Sequence, residues 1–555
     1  MPKRMQPYRH VGGARPRYSV FNESYHVQFD CDFGQLIPVC VQECIPGDRW
    51  KIANEIVVRF QPIVTPVLHE IYCRTDWFFI PFRLVWNDDT VDEFGDDSSF
   101  ETFIVGGDDG NDESTIPRWQ PLNSPDLQKY SLWDYFGLPM NFVPGTTDPT
   151  VAPVDMIRRV YNKTWNDYFR DGDLQEEVSL QNSEILYRNW SKDYFTVARP
   201  STQKGTPPAI PIAGLSGITF NGATNNIGPA SGSVYPVMVD SNGRLVDGAY
   251  SGQSGSNRYP TWNVPAAVPP GNGQWNLNVS TDPGQNQLFI NWLNQNSIDL
   301  SGAVTFGVPE LRYAFQVQKW QERLMRGGSR YTEFLRSMYD VVPQDSRLQR
   351  PEYIGGSKSP IVISEVLQTS STDTTSPQGN LAGHGIMADV TRIGKYHVKE
   401  HGYILGLMSV QPTPMYVQGM RKQFLRETRY DFYNQLFQHL SEQAVYNCEL
   451  ALDPTGTGDK KVFGYQGIYD EYRVQHSYVM GAMRDVLSYW NLARTISSSN
   501  AILNGDFISI KNDLPNLKRI FASQDEPGLI VMFGNKLRAV RPMSIISQPG
   551  LIDHG

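Results

Sequence analysis

Residues able to do chemistry are spread thinly along this 555-residue chain, and few stand at a spacing that a reaction needs. His69-Glu70 begins the helical zinc-protease pattern, but no second histidine follows one turn later to complete the pair of imidazole ligands. Cys40 and Cys44 fall on one face of an expected strand. Zinc wants four ligands, and no further Cys or His pair is placed to complete the set, so these read as structural thiols. Gly456-Thr457-Gly458-Asp459-Lys460 is glycine-rich but lacks the spacing that lets successive amides surround a phosphate. No Gly-x-Ser-x-Gly elbow occurs. The acidic stretch 87–113, with Asp88, Asp89, Asp92, Glu93, Asp96 and Asp97 and then Asp108, Asp109, Asp112 and Glu113, holds carboxylates of the kind calcium prefers. It has no glycine where an EF-hand loop turns, and a solvated acidic loop is the expectation. No catalytic residue, metal site or cofactor is expected.

The totals agree with a chain built for contact. Charged residues make up 19%, aromatics 12%, and there are 47 Gly and 38 Pro, a mixture of many strands and turns. A net charge of −9 argues against a surface that coats nucleic acid throughout. Five cysteines (Cys31, Cys40, Cys44, Cys73, Cys448) are too few and odd in number for a disulfide framework, so reduced buried thiols are expected. No signal peptide and no apolar run of the ~18 residues a membrane span needs can be read, which points to a soluble protein made inside the cell. The first 20 residues carry Lys3, Arg4, Arg9, Arg15 and Arg17 with no acid before Glu23. Basic terminal arms of this kind neutralise phosphates or simply stand in solvent.

The positioning elements are mostly strands. Segments 24–30, 35–43, 51–60 and 66–80 alternate or run apolar between Pro and Gly turns, and the last is clearest: Val67, Ile71, Cys73, Trp77 and Phe79 share one parity. Strands are also expected at 360–366, 402–410 and 528–540. Helices are expected at 155–169, 310–326 (stopped by Gly327-Gly328), around Tyr331, at 431–447 and at 483–494. Segment 347–356 reads as turn-rich. Strong strands at both ends of the chain imply one β unit with excursions, not beads on a string.

Residues 206–308 differ from everything around them. They contain no Lys, Glu or His, and Gly, Ser, Asn, Pro and Gln fill most positions. Tyr235, Tyr250, Tyr259, Trp262, Trp275 and Trp292 are scattered through, and Asn242-Gly243 between two apolar runs is a strong hairpin signal. Disordered tracts are usually charged and poor in aromatics, so a folded, exposed, β-rich insertion is expected.

Several motifs resemble the major capsid protein of the microvirus family of small circular single-stranded-DNA phages, above all its gokushovirus-like branch. They include Phe33-Gly34-Gln35-Leu36-Ile37-Pro38, Trp77-Phe78-Phe79-Ile80-Pro81-Phe82, Asp134-Tyr135-Phe136-Gly137-Leu138-Pro139 and Trp165-Asn166-Asp167-Tyr168-Phe169-Arg170. Beyond the insertion come Arg326-Gly327-Gly328-Ser329-Arg330-Tyr331, Arg347-Leu348-Gln349-Arg350-Pro351-Glu352-Tyr353, Phe463-Gly464-Tyr465-Gln466 and Pro549-Gly550-Leu551-Ile552-Asp553-His554. Each is modest alone; in this order they are specific, and they skip the insertion.

The resemblance implies an eight-stranded antiparallel jelly roll with long helical and loop insertions, whose copies form a T=1 icosahedral shell around the DNA. Its implied partners are other copies of itself, a small basic internal DNA-binding protein, a minor pilot protein and a host-surface receptor. It implies the virion as location and the host cytoplasm as site of assembly. The organisation expected is a basic arm (1–20), one discontinuous jelly-roll domain (21–205 and 309–540), a projecting insertion (206–308) and an extended tail (541–555). Lys3, Arg4, Arg9, Arg15 and Arg17 are then candidate DNA contacts. Tyr235, Tyr250, Tyr259, Trp262, Trp275 and Trp292 are candidate receptor or three-fold contacts. Helices around Tyr161, Trp165, Trp320 and Tyr331 are either subunit contacts or plain core.

Overall fold

Along β4 (Arg49–Phe60) every second side chain is buried: Trp50, Ile52, Asn54, Ile56, Val58 and Phe60 face inward, while Arg49, Lys51 and Arg59 face water. That two-residue period puts one face of the strand on a core. In the computed structural model the described residues are 17–64, 66–86, 99–105, 116–119, 128–139, 153–208, 308–328, 330–367, 381–496 and 501–546. They fall into two units, Met1–Thr206 with Trp320–Gly555, and Pro207–Lys319. Of the second, the described part beyond Pro207 and Pro208 is the first portion of the helix Val308–Gly327.

In the first unit nine strands form one curled antiparallel sheet. They are β1 (Ser19–Asn22), β2 (Tyr25–Cys31), β3 (Ile37–Cys44), β4, β5 (Ile71–Pro81), β6 (Glu352–Leu367), β7 (Leu381–His397), β8 (Gly402–Pro412) and β13 (Leu529–Arg541). Two smaller sheets in the excursion between β8 and β13 pair β10 (Glu442–Tyr446) with β11 (Val462–Gly467), and β9 (Met415–Tyr416) with β12 (Ser477–Tyr478).

Nine strands fill eight positions. β1 and β2 both pair with one edge of β13, Asn22 opposite Arg538 and Tyr25 opposite Asn535. Between them Ser24 turns its hydroxyl onto the ladder, its Oγ accepting the Leu537 N–H at 3.2 Å. The pairing order is then β2-β13-β4-β7 in one layer and β3-β8-β5-β6 in the other. Except for β5 and β6, which pair with each other, consecutive strands of this sheet alternate between layers, which is jelly-roll topology. β6 supplies the corner: Glu352–Ile361 pairs with β5, and Val362–Leu367 crosses to pair with β7. β5 and β6 are therefore neighbours although residues 82–351 lie between them.

The core between the layers holds Trp50, Trp77, Phe79 and Phe533, each at most 1% exposed. At about 1.5–3 kcal/mol for each large side chain removed from water, such positions dominate the stability of the barrel. Two of its polar members tie the layers together. Asn54 Nδ2 of β4 donates to Thr75 Oγ1 of β5 at 3.2 Å, and Asn535 Nδ2 of β13 donates to Val39 O of β3 at 2.8 Å.

The helix Met156–Thr164, continued by a single π-helical turn Trp165–Phe169, lays Val160, Tyr161 and Trp165 against this barrel. Tyr161 donates its hydroxyl to Leu36 O and accepts from Leu186 N–H, both at 2.9 Å. At the helix start the buried Asp155 carboxylate pairs with Arg158 at 2.7 Å and Arg159 at 2.8 Å. A second, smaller core of Phe195, Tyr416, Phe463 and Phe507 closes the excursion before β13.

Four local expectations are corrected. Residues 431–447 form short 3-10 turns and then β10, because Leu436 and Leu440 face solvent and an apolar stripe with nothing to cover does not hold a helix. Residues 483–494 form turns because Asn491 binds its own neighbourhood, its amide reaching Met483 O at 2.9 Å and its carbonyl taking the Ala493 N–H at 3.1 Å. β7 carried no strong strand signal, and the start of β6 reads as turn. Both are rich in glycine, which packs no side chain. Close approach explains one of these glycines: a Cβ on Gly385 would lie 2.6 Å from the Phe60 ring.

Candidate assembly surface

Those residues first suspected of chemistry that fall among the described ones are structural. His69 accepts the Leu492 N–H on Nδ1 at 3.3 Å and faces Thr413 O with Nε2 at 2.8 Å, so its ring is a neutral bridge between two loops. Burial pushes its pKa down, in keeping with that state. All five cysteines are free and buried, and burial raises the pKa of each thiol, so none is a poised nucleophile. In the glycine-rich loop, Asp453 takes the amides that a phosphate would need: Thr455 N–H at 2.9 Å and Gly458 N–H at 3.2 Å. Among the described residues no group of three His, Cys, Asp or Glu is placed to hold a metal, and no helix is long and apolar enough to cross a membrane.

The surface is a different matter. Phe424, Tyr430, Phe432, Tyr433, Leu436 and Leu440 are each more than half exposed within 17 residues, Leu436 at 80%. Short turns at Lys422–Phe424, Arg429–Asp431 and Phe437–His439 hold them out. The middle turn is capped by Asp431, whose Oδ2 accepts the backbone N–H of Glu427 at 2.9 Å and of Thr428 at 2.7 Å. Arginines lie over the rings: Arg426 is 4.9 Å from the Phe432 centroid and Arg429 the same from Tyr430. Aromatic residues and Arg are the residue types enriched at the centres of protein interfaces.

A second exposed set lies on the helix Tyr331–Tyr339, which has no buried residue. Tyr331 and Tyr339 are about two-thirds exposed, and Trp320 on the preceding helix is half exposed. Gly328, at φ +103°, stops that preceding helix in a conformation that side chains disfavour. The four helical aromatics thus divide: Tyr161 and Trp165 are core, while Trp320 and Tyr331 are surface. The exposed 424–440 set was missed from sequence because its apolar spacing reads as an amphipathic helix.

Of the candidate DNA contacts, Arg17 lies exposed just before β1, and Lys3, Arg4, Arg9 and Arg15 lie outside the described residues. So do Tyr235, Tyr250, Tyr259, Trp262, Trp275 and Trp292, the carboxylates of 88–113, and the tail beyond Ile546.

The model of the family described as capsid protein (F protein) matches residues 9–551. The capsid protein VP1 of Chlamydia phage 1 is 31% identical, covering 98% of this chain and 97% of its own length. That of Bdellovibrio phage phiMH2K is also 31% identical, with 96% and 95% covered. The capsid protein VP1 of Spiroplasma virus 4 is 28% identical over 93% of this chain and 92% of its own. Matched almost end to end, and carrying jelly-roll topology with broad apolar faces left uncovered, the chain belongs to the phage capsid protein (F protein) family, in its gokushovirus-like microvirus branch.

Proposed function

We propose that copies of this capsid protein assemble into a closed T=1 icosahedral shell around circular single-stranded DNA. The observation that carries the reading is the ordered set of exposed aromatics on a chain whose capsid-family match runs nearly end to end. Burying them against neighbouring copies removes apolar area from water at about 25 cal/mol per Å², so many modest contacts sum to a stable particle. The role is structural, and its place is the virion; folding and assembly precede it in the host cytoplasm. Electron microscopy of the purified protein is the direct test. Uniform, closed, megadalton-scale particles are expected, and small oligomers alone would overturn the reading.

Within the shell, the basic arm with Lys3, Arg4, Arg9, Arg15 and Arg17 turns inward and neutralises phosphates without reading sequence, alongside a small basic DNA-binding protein and a minor pilot protein. Deleting residues 1–17 is expected to lower genome packaging and to make particles fall apart at lower salt; unchanged packaging removes the arm from this role. The weakly charged insertion 206–308 turns outward, its tyrosines and tryptophans suited to stacking on polar host-surface ligands. Exchanging 206–308 between related particles is expected to move host range with it. Intact particles with unchanged host range would leave the insertion as a contact between copies only.

A further inference from the structure

A cleft of about 270 Å³ opens over the outer face of β5, between the turn Trp165–Phe169, residues 170–199 and the start of the helix Tyr331–Tyr339. Six cationic side chains line it against three carboxylates. Most of the cations are paired. Lys192 holds Asp171 at 2.6 Å, Arg199 holds Asp173 at 3.0 Å, and Arg330 reaches Glu333 at 3.5 Å. Arg188 takes Asp76 at 2.7 Å, and Arg170 takes the largely exposed Glu177 at 2.7 Å.

Arg74 is left over. It stands two residues before Asp76 on β5, half-buried, and makes no ion pair among the described residues. Burial lowers its pKa, and so does the like charge of Arg188; Asp76, already engaged by Arg188, offsets this in part. Arg170 adds a buried Nε–H with no acceptor. A half-buried guanidinium without a counter-charge, beside a buried N–H without an acceptor, is costly unless something negative completes the set.

We infer that this cleft binds a phosphate group, either free or within a phosphodiester backbone, with Arg74, Arg188 and Arg170 as its donors. Guanidinium forks match phosphate oxygens with paired N–H groups, and three arginines lining one cleft offer more donors than the two oxygens of a carboxylate can take. The inference stands on the cleft alone and does not depend on what the shell encloses.

The test uses the full-length protein at constant ionic strength. Inorganic phosphate is expected to raise its thermal unfolding midpoint where chloride does not. Arg74→Gln is expected to weaken phosphate binding, measured by calorimetry, at least tenfold while leaving the midpoint in phosphate-free buffer unchanged or higher. Arg74→Lys, which keeps the charge but not the fork, should fall between. An oligothymidylate without terminal phosphates identifies the source: competition with inorganic phosphate assigns a phosphodiester occupant, and its absence assigns free phosphate. An equal shift with chloride, or unchanged phosphate affinity in Arg74→Gln, overturns the inference. A lower midpoint in that variant with unchanged phosphate affinity makes Arg74 a purely structural cation and overturns it as well.

Discussion

At the scale of single residues, the groups most suggestive of chemistry hold the fold together. His69 joins the loop before β5 to the one after β8 and to Leu492 only as a neutral ring. Its folded pKa lies below the ordinary value near 6.5, so the stabilisation is fully present above about pH 6.5 and is lost as pH falls toward the folded value. Buried carboxylates such as Glu23, Asp48 and Asp167, with pKa values raised by burial, contribute with the opposite sign. The comparison that isolates the imidazole is therefore with His69→Gln. Urea unfolding of the dissociated subunit should show the variant about 1–2 kcal/mol less stable at pH 7.5, with the gap narrowing by pH 5.5. A constant gap would mean that protonation of His69 is not linked to folding. The core is less forgiving: Trp77→Ala, at a fully buried site, should cost about 3–5 kcal/mol in the same measurement.

At the scale of elements, the separation between core and contact surface is what matters for assembly. Leu436 and its neighbours are held on capped turns and bury little within their own chain. Leu436→Asp should leave subunit stability within about 0.5 kcal/mol yet block particle formation in sedimentation, since a charge would be stranded in a closed interface. Normal particle yield would remove 424–440 from the contact set. Legibility in the sequence follows the same division. β4, β5 and β13 were readable because much of their length buries one face and shows a period of two, and β8 because it is a continuous apolar run buried on both faces. The helix at Met156–Thr164 was readable because its stripe meets the barrel. Residues 431–447 misled because their hydrophobic spacing belongs to side chains that their own chain leaves exposed, which local periodicity does not report. β7 was hidden because Gly383, Gly385 and Gly394 interrupt its apolar alternation. The phosphate cleft left no motif, for its arginines come from β5, a turn, a loop and a helix start.

At the scale of the molecule, the resemblance supplied the strand count and the sheet topology bears it out, with β1 and β2 sharing one position. Neither periodicity nor composition could have supplied the layer order, since pairing partners such as β5 and β6 are separated by residues 82–351. One feature of that order bears on how the protein is made. β13, the last strand among the described residues, is an interior strand, hydrogen-bonded to β2 and β1 on one edge and to β4 on the other. A nascent chain cannot close its barrel until Leu529–Arg541 has left the ribosome, and until then two strand edges stay open, a known hazard for aggregation. Ending the chain at Glu526 should therefore give insoluble protein even though most of the sequence is intact; soluble, assembly-competent product would show that the barrel closes without its last strand. A shell built from such subunits screens its own parts, because a copy cut short in translation has no finished barrel to offer a neighbour.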